Sequence, residues 1–141
     1  MKNCIFCKIT KGEIPSYKVF ENEKVFAFLD INSLTKGHCL IIPKQHFENI
    51  FDINENILFE INKTAKQLAV KIKNNLGATG VNLVNASGKD AEQSVFHFHL
   101  HLVPRYDNDN LEMNKWWQSK VSKPSREELK NLAEKIYPAK Q

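Results

Sequence analysis

Residues 97–105, HFHLHLVPR, decide the fold, because histidine alternates there with phenylalanine and leucine. Successive side chains of a β-strand point to opposite faces, so residues two apart share a face and lie about 7 Å apart. The alternation predicts a strand over residues 95–103, with His97, His99 and His101 on one face. The other face is expected to enter the core through Phe98, Leu100 and Leu102. Three of the five histidines gather on this strand, which favours an active site over an ordinary polar surface.

Imidazole can act as a nucleophile, as a general acid or base, and as a metal ligand. Two alternating histidines can bind one catalytic metal ion, so a metal-dependent hydrolase is an alternative. Cys4 and Cys7 form a second constellation, since their C-x-x-C spacing lets two thiolates converge on one ion. A structural zinc site takes four nitrogen or sulfur ligands. If two histidines completed that set, the remaining ones would be left for chemistry on a substrate.

The composition as a whole predicts one soluble globular domain over residues 1–141. The net charge of +4 comes from lysines spread along the chain, which argues against a nucleic-acid groove. No apolar run approaches the roughly 18 residues of a membrane span, and residues 1–8 carry no signal-peptide pattern. Three cysteines make no disulfide framework, and Cys39 is interpreted as a small buried hydrophobe. We therefore expect a cytoplasmic protein that binds neither nucleic acid nor membrane.

Capping residues in the sequence indicate where two helices begin or end. An apolar stripe at spacings of three and four residues predicts a long helix from Asn54 to Leu76, which Asn54 caps and Gly77 ends. Ser125 and Glu128 match the capping box that begins a last helix.

Apolar runs predict further strands over residues 24–30, 38–43 and 80–85, and residues 3–11 suggest a short helical turn. One long helix beside a mostly antiparallel sheet gives the α+β class.

The HFHLHLVPR stretch, with Pro104 and Arg105 after its three histidines, resembles the signature of the histidine triad (HIT) nucleotide-binding proteins. The resemblance continues through CIFCKITKGEIPSYKVFENEKVFAFLDI, GHCLIIPKQH and GVNLVNASGKDAEQSVFH. It covers residues 4–105 in the family's order, and residues 106–141 resemble the family weakly and form a C-terminal extension. The resemblance implies a HIT-like fold of about five antiparallel strands with one long helix and a C-terminal helix. It also implies a homodimer.

The resemblance assigns a role to each candidate catalytic residue. His99 attacks the α-phosphorus of a nucleotide derivative, and water releases the monophosphate from the nucleotidyl-histidine. Two displacements through a covalent intermediate replace one difficult step. His101 contacts and polarises the phosphate. Gln93 and Ser94 supply further phosphate contacts, with the Ser94 hydroxyl near the leaving group.

Binding and metal sites follow from the same resemblance. Ribose contacts fall on Asp30 and Asn85, and the base pocket is apolar, which suits purines without reading them strictly. That pocket is lined by Phe6, Ile9, Phe28 and Ile31. The zinc-containing bacterial-type branch places a structural Zn²⁺ on Cys4, Cys7, His46 and His97. His38 is interpreted as a residue at the start of a strand.

The expected reaction is hydrolysis of purine nucleoside phosphoramidates, or related nucleotide conjugates, to the nucleoside monophosphate. A dinucleoside polyphosphate hydrolase of the same family is one alternative, which the VPR ending mildly favours. A nucleotide-binding or scaffold protein with incidental hydrolysis is the other. Glu92 stands where relatives commonly carry glycine, which adds a negative charge beside the expected phosphate site.

Overall fold

The computed structural model describes residues 3–139. The chain forms two compact units, Met1–Asp109 and Asn110–Gln141. The first unit holds five strands and two helices. The strands are β1 Lys18–Glu21, β2 Val25–Leu29, β3 Cys39–Pro43, β4 Gly80–Val84 and β5 Leu100–Arg105. The helices are α1 Ile5–Thr10 and α2 Glu55–Leu76, and Lys89–Ala91 forms a 3₁₀ turn between β4 and β5.

All neighbouring strands pair antiparallel, in the order β1-β2-β3-β5-β4. The α+β class and the sheet of about five strands are therefore confirmed. The sequence did not single out β1, since three of its four residues are exposed and no alternation marks it. Its hairpin to β2 is made by Asn22, whose side-chain oxygen accepts hydrogen bonds from the backbone N–H groups of Lys24 and Val25, each 2.8 Å long.

The long helix has the bounds that its caps predict. The Asn54 side chain accepts a hydrogen bond from the Ile57 N–H at 2.9 Å, and Gly77 ends the helix with a left-handed φ of 77°. Glycine adopts that φ without steric cost, which is why it is favoured after a helix. The apolar stripe of α2 packs on one face of the sheet and includes Ile61 and Leu68.

Helix α1 covers the opposite face of the sheet. Phe6 and Ile9 of α1 pack with Phe26 and Phe28 of β2, whereas Val25 and Ala27 join the core under α2. Four successive residues of β2 are thus buried, because both faces of the sheet are covered. A cleft remains between α1 and the end of β2, and His99 and His101 also line it.

The strand predicted over residues 95–103 begins only at Leu100, so that part of the prediction is wrong. The Phe98 N–H donates to the Phe47 carbonyl at 2.7 Å instead of to a neighbouring strand. The His97 carbonyl is occupied by the His99 ring, at 2.8 Å. Residues 95–99 therefore bend toward the loop at 46–50, although Phe98, Leu100 and Leu102 still enter the core as expected.

The second unit contains α3 Met113–Lys120 and α4 Arg126–Ile136. The predicted capping box is confirmed, because Ser125 accepts the Glu128 N–H at 3.1 Å and the Glu128 carboxylate accepts the Ser125 N–H at 2.7 Å. Helix α3 was not expected from the sequence. Among residues 3–139, no helix has the length and apolar character needed to cross a bilayer. The interpretation of residues 1–141 as a single domain stays a prediction.

Candidate active site

A cleft of about 290 Å³ opens beside α1 and the end of β2. The four residues expected to hold a base all line it: Phe6, Ile9, Phe28 and Ile31. The first three are buried and also belong to the core, whereas Ile31 is 82% exposed. Asp30, Ser94, His99 and His101 line the same cleft and give it a polar part. The cleft therefore combines an apolar slot with titratable groups, as small-ligand sites commonly do.

His99 presents one nitrogen that is ready to act as a nucleophile. Its Nδ1 lies 2.8 Å from the His97 carbonyl oxygen. A carbonyl can only accept, so Nδ1 carries the proton and Nε2 of the neutral ring holds the lone pair. The Phe6 and His99 rings pack in a T-shaped arrangement with centroids 5.3 Å apart. The imidazole is therefore fixed in both tautomer and orientation.

The tautomer of His101 is determined by a hydrogen bond from His38, a residue that the sequence did not identify as part of the site. The Leu34 N–H donates to His38 Nδ1 at 3.1 Å, so the proton of neutral His38 lies on Nε2. That Nε2 is 2.9 Å from His101 Nδ1 and donates to it. The proton of neutral His101 is consequently on Nε2, where it can bond an incoming ligand.

Both rings of this pair are neutral in the resting site. Burial, together with the nearby His99 and His38, lowers the pKa of His101 to about 4, although the Asp30 carboxylate opposes the shift. Burial also lowers the pKa of His38. Asp30 lies 3.6 Å from His38 Nε2 and 3.9 Å from His101 Nδ1. His38 and His101 are thus joined by a hydrogen bond, whereas Asp30 lies beyond hydrogen-bond distance of both rings. The ligand atoms of the three residues lie within 4.8 Å of one another.

Gln93 and Asn85 lie outside the cleft lining, and their amides bond to the protein. Gln93 accepts the Gly88 N–H at 2.8 Å and donates to the Glu48 and Val95 carbonyls at 2.6 and 3.0 Å. Asn85 donates to the His99 carbonyl at 2.9 Å. Contacts of these two side chains with phosphate or ribose stay predictions.

Glu92, which stands where relatives commonly carry glycine, also has an unusual backbone conformation. Glu92 adopts a left-handed φ of 61° at the end of the 3₁₀ turn. Glycine reaches this conformation more easily than a residue with a Cβ atom. The side chain of Glu92 is exposed, so its charge faces solvent in this loop.

Four side chains from separate segments converge beside the cleft. Cys4, Cys7, His46 and His97 place their ligand atoms within 4.8 Å of one another. His97 Nδ1 lies 3.3 Å from Cys4 Sγ and 3.6 Å from Cys7 Sγ, and His46 Nδ1 lies 3.4 Å from Cys7 Sγ. Two sulfurs and two nitrogens at these separations suit a tetrahedral ion with bonds of about 2.0–2.3 Å.

The protonation of His97 suits a ligand. Its Nε2 donates to the Pro43 carbonyl at 2.8 Å, which leaves Nδ1 deprotonated and directed at the two sulfurs. Burial lowers the pKa of His97 to about 4, so the ring is neutral near pH 7. A hydrogen bond from the non-ligating nitrogen is the usual support of a metal-bound histidine. The group can therefore hold a metal ion.

Comparison with known proteins gives the family. The HIT domain model matches residues 11–108. The crystal structure of SMU.412c from Streptococcus mutans UA159 is similar, with a TM-score of 0.88 and 39% identity over 96% of this chain and 84% of that one. A Zn-bound histidine triad family protein from Mycobacterium smegmatis has a TM-score of 0.76 and 34% identity, covering 90% of this chain and 87% of the other.

A curated relative carries an enzymatic name. The adenosine 5'-monophosphoramidase HNT1 of Saccharomyces cerevisiae is 44% identical over 104 residues, which is 74% of this chain and 63% of that protein. The chain belongs to the HIT family, as its histidine signature predicts. It is a hydrolase of that family, whose members bind and act on nucleotides.

Proposed function

We propose that this protein hydrolyses purine nucleoside phosphoramidates, or related nucleotide conjugates, through a covalent nucleotidyl intermediate on His99. The observation that carries the proposal is the pair of ring nitrogens in one cleft. His99 Nε2 holds a lone pair, and His101 Nε2 holds a proton. A nucleophile beside a hydrogen-bond donor is the combination that phosphoryl transfer needs.

In the first step, His99 Nε2 forms a bond to the α-phosphorus, and the bond from phosphorus to the leaving nitrogen breaks. The leaving nitrogen takes the electron pair and a proton from the Ser94 hydroxyl, which regains a proton from solvent water. The Nδ1–H···O bond to the His97 carbonyl stabilises the charge on the substituted ring. In the second step, water attacks phosphorus and loses a proton to solvent, and the P–N bond breaks with its electron pair returning to His99 Nε2, which releases the monophosphate.

His101 acts on the phosphate as a hydrogen-bond donor. Its ring is neutral before substrate binds, since its pKa is lowered to about 4. Its Nε2–H donates to a phosphate oxygen while its Nδ1 continues to accept from His38. This hydrogen bond strengthens as negative charge develops on the phosphate oxygens in the transition state.

The rest of the cleft suits a nucleoside. Asp30 lines the cleft, and its carboxylate can accept hydrogen bonds from both ribose hydroxyls. The apolar slot formed by Phe6, Ile9, Phe28 and Ile31 offers flat contacts without a dense set of polar groups. Such a slot accepts either purine. Asn85 is proposed as a second ribose contact, and Gln93 as a further phosphate contact.

Zn²⁺ is proposed as a structural ion on Cys4, Cys7, His46 and His97. Two cysteines and two histidines complete a tetrahedron and leave no open position for water. The bound ion would link α1, the loop at His46 and the segment before β5. Burial raises the pKa of the Cys7 thiol, and a coordinated ion would offset this by favouring the thiolate. Three free cysteines fit the proposed cytoplasmic location.

A homodimer is the proposed assembly. Strand β4 lies at one edge of the sheet, and Val81 and Leu83 on one of its faces are 42% and 50% exposed. Helix α2 also leaves Phe59 and Val70 exposed. An apolar edge strand invites pairing with another chain, and a two-fold axis would let the same surface serve both copies.

Comparative turnover tests the reaction. Initial rates are measured with adenosine 5'-phosphoramidate, guanosine 5'-phosphoramidate and a diadenosine polyphosphate, and a folded His99→Ala variant gives the background. We expect both phosphoramidates to be cleaved with similar kcat/KM and faster than the diadenosine compound. A preference for the diadenosine compound would replace the proposal with the polyphosphate hydrolase. Binding without turnover of any of the three would favour a scaffold.

A further inference from the structure

We infer that Ser87 is a positioning residue for His99 and acts through Asn85. Ser87 lies in the loop between β4 and the 3₁₀ turn and outside the cleft lining. It therefore touches neither the proposed substrate nor the reacting atoms. The inference rests on the proposed reaction, since that reaction supplies one of its readouts.

Three hydrogen bonds form a continuous chain from a backbone amide to the nucleophile. The Ile50 N–H donates to Ser87 Oγ at 3.0 Å. The Ser87 hydroxyl donates to Asn85 Oδ1 at 2.7 Å. Asn85 Nδ2 then donates to the His99 carbonyl at 2.9 Å.

The chain fixes the direction of every proton in it. A backbone N–H can only donate, so Ser87 Oγ accepts from Ile50 and its own hydrogen is left for Asn85. Asn85 therefore presents its oxygen to Ser87 and its nitrogen to His99. Without the hydroxyl, the Asn85 amide could rotate about its last torsion and turn its oxygen toward the His99 carbonyl. Two facing acceptors repel, so the carbonyl of His99 would shift.

A shift at this carbonyl matters because of where His99 lies. Residues 95–99 are not part of the sheet, so strand pairing does not hold the His99 backbone in place. The ring of His99 is held by Phe6 and by the His97 carbonyl, while its own carbonyl is held by Asn85. Small displacements of a reacting group lower the rate far more than they alter binding.

The chain also joins two loops that carry proposed ligands. Ile50 follows His46, a member of the Cys/His group, and the bond from Ile50 to Ser87 bridges 37 residues of sequence. Gln93 makes a second bridge by donating to the Glu48 carbonyl at 2.6 Å. Because Gln93 holds the loops together independently, removal of the Ser87 hydroxyl should leave the fold intact. The expected effect of removing the Ser87 hydroxyl is therefore confined to the orientation of the Asn85 amide.

The test compares Ser87→Ala and Ser87→Thr with the wild type, using adenosine 5'-phosphoramidate and AMP. We expect Ser87→Ala to lower kcat about tenfold, with KM and the Kd for AMP within twofold of wild type and Tm nearly unchanged. Ser87→Thr retains the hydroxyl and should recover most of kcat. Ser119→Ala, which removes a hydroxyl bonded within α3, is the matched control and should behave as wild type.

A double-mutant cycle separates action through Asn85 from an independent effect. In an Asn85→Ala background, the further change Ser87→Ala should lower kcat by less than twofold. Additive losses, or full activity of Ser87→Ala, would overturn the inference. Equal losses in Ser87→Ala and Ser87→Thr would also overturn it. If the wild type bound AMP but did not turn over the substrate, the result would count against the proposed reaction and not against the role of Ser87. The role of Ser87 would then be tested by NMR. If the side-chain amide resonances of Asn85 were the same in Ser87→Ala and in the wild type, the inference would be overturned.

Discussion

His38 donates its Nε2–H to Nδ1 of His101 across 2.9 Å, and the Leu34 N–H fixes the direction of that bond. His38 is buried, whereas the side chain of His101 keeps 28% of its surface exposed. The exposed ring therefore meets its ligand in one tautomer, with the proton on Nε2. This relationship makes His38 a positioning residue, although the sequence indicated only the start of a strand.

Substitution of His38 by leucine should impair turnover without abolishing nucleotide binding. Leucine cannot donate to His101 Nδ1, so the ring would lose its preferred tautomer. We expect kcat for adenosine 5'-phosphoramidate to fall by about 10- to 100-fold, as for other residues that orient an active-site imidazole. His38→Gln keeps an N–H donor and should retain more activity than His38→Leu. A correctly folded His38→Leu protein with wild-type kcat would show that the tautomer does not matter.

The lowered pKa of His101 should appear in the pH dependence of stability. The unfolded chain binds a proton at this ring near pH 6.5, whereas the folded protein does so only near pH 4. Above about pH 6.5 neither state is protonated, and between about pH 6.5 and 4 only the unfolded state gains the proton. The free energy of unfolding therefore falls as the pH is lowered through this window.

We expect His101→Gln to show a shallower fall over the same window. Urea unfolding at pH 7, 5.5 and 4.5, with equal metal content in both proteins, measures the difference. His97 and the distant carboxylates are common to both proteins, so the difference between the slopes reports His101 together with its coupling to the neighbouring residues. Parallel slopes would mean that His101 titrates alike in the folded and unfolded chain.

The sequence predicted those features that local chemistry determines. Asn54 and Gly77 bound α2 because each satisfies backbone groups at its own end of the helix. Ser125 and Glu128 begin α4 because their side chains satisfy backbone N–H groups at its N-terminus. The convergence of Cys4 and Cys7 with two histidines also followed, since the family order implied it and the structure brings the four together.

Features that depend on distant partners could not be predicted. The strand that holds His101 begins late because Phe98 bonds to Phe47, 51 positions earlier in the chain. The role of His38 depends on Leu34 and on a contact across the pair β3–β5. Strand β1 has too few buried residues to leave a pattern. In the first two cases the deciding contact joins segments that the sequence does not relate, and in the third the strand lacks the buried residues that make a pattern.

Removal of both thiolates tests the proposed zinc. The variant with Cys4→Ser and Cys7→Ser should lose about one equivalent of zinc per chain, and its Tm should fall by several degrees, since an ion that binds only the folded state stabilises it. Metal analysis by mass spectrometry and a thermal melt give the two values. Cys39→Ser is the matched control, because Cys39 is buried outside the group and donates to the Gly37 carbonyl. Wild-type protein prepared without chelators and free of zinc would refute the assignment.

The proposed dimer should be sensitive to charge at only one edge of the sheet. Leu83→Lys places a charge on the exposed apolar face of β4 and should yield a species with the mass of one chain, 16.3 kDa. Val19→Lys places the same charge on β1, at the opposite edge, and should leave the dimer intact. Sedimentation velocity distinguishes the two. If both substitutions dissociated the dimer, or if neither did, the proposal that β4 forms the interface would be wrong.

Replacement of His99 by alanine separates chemistry from binding. The variant loses the nitrogen that forms the intermediate, while Asp30 and the apolar slot stay in place. We expect turnover of adenosine 5'-phosphoramidate to fall by at least about 10³-fold and the Kd for AMP to change by only a few-fold. Wild-type protein quenched in alkaline denaturant, in which the P–N bond survives, should carry a nucleotidyl group that mass spectrometry locates on residue 99.

The comparison with His101→Gln sharpens this test. That variant keeps the His99 nucleophile, so it should still form the adduct, but slowly, because it lacks the imidazole Nε2–H that His38 orients toward the phosphate. His99→Ala should form none. Substantial turnover by folded His99→Ala would mean that water attacks phosphorus directly. The tautomer of His99, fixed by the His97 carbonyl, would then serve only to orient a neutral ring.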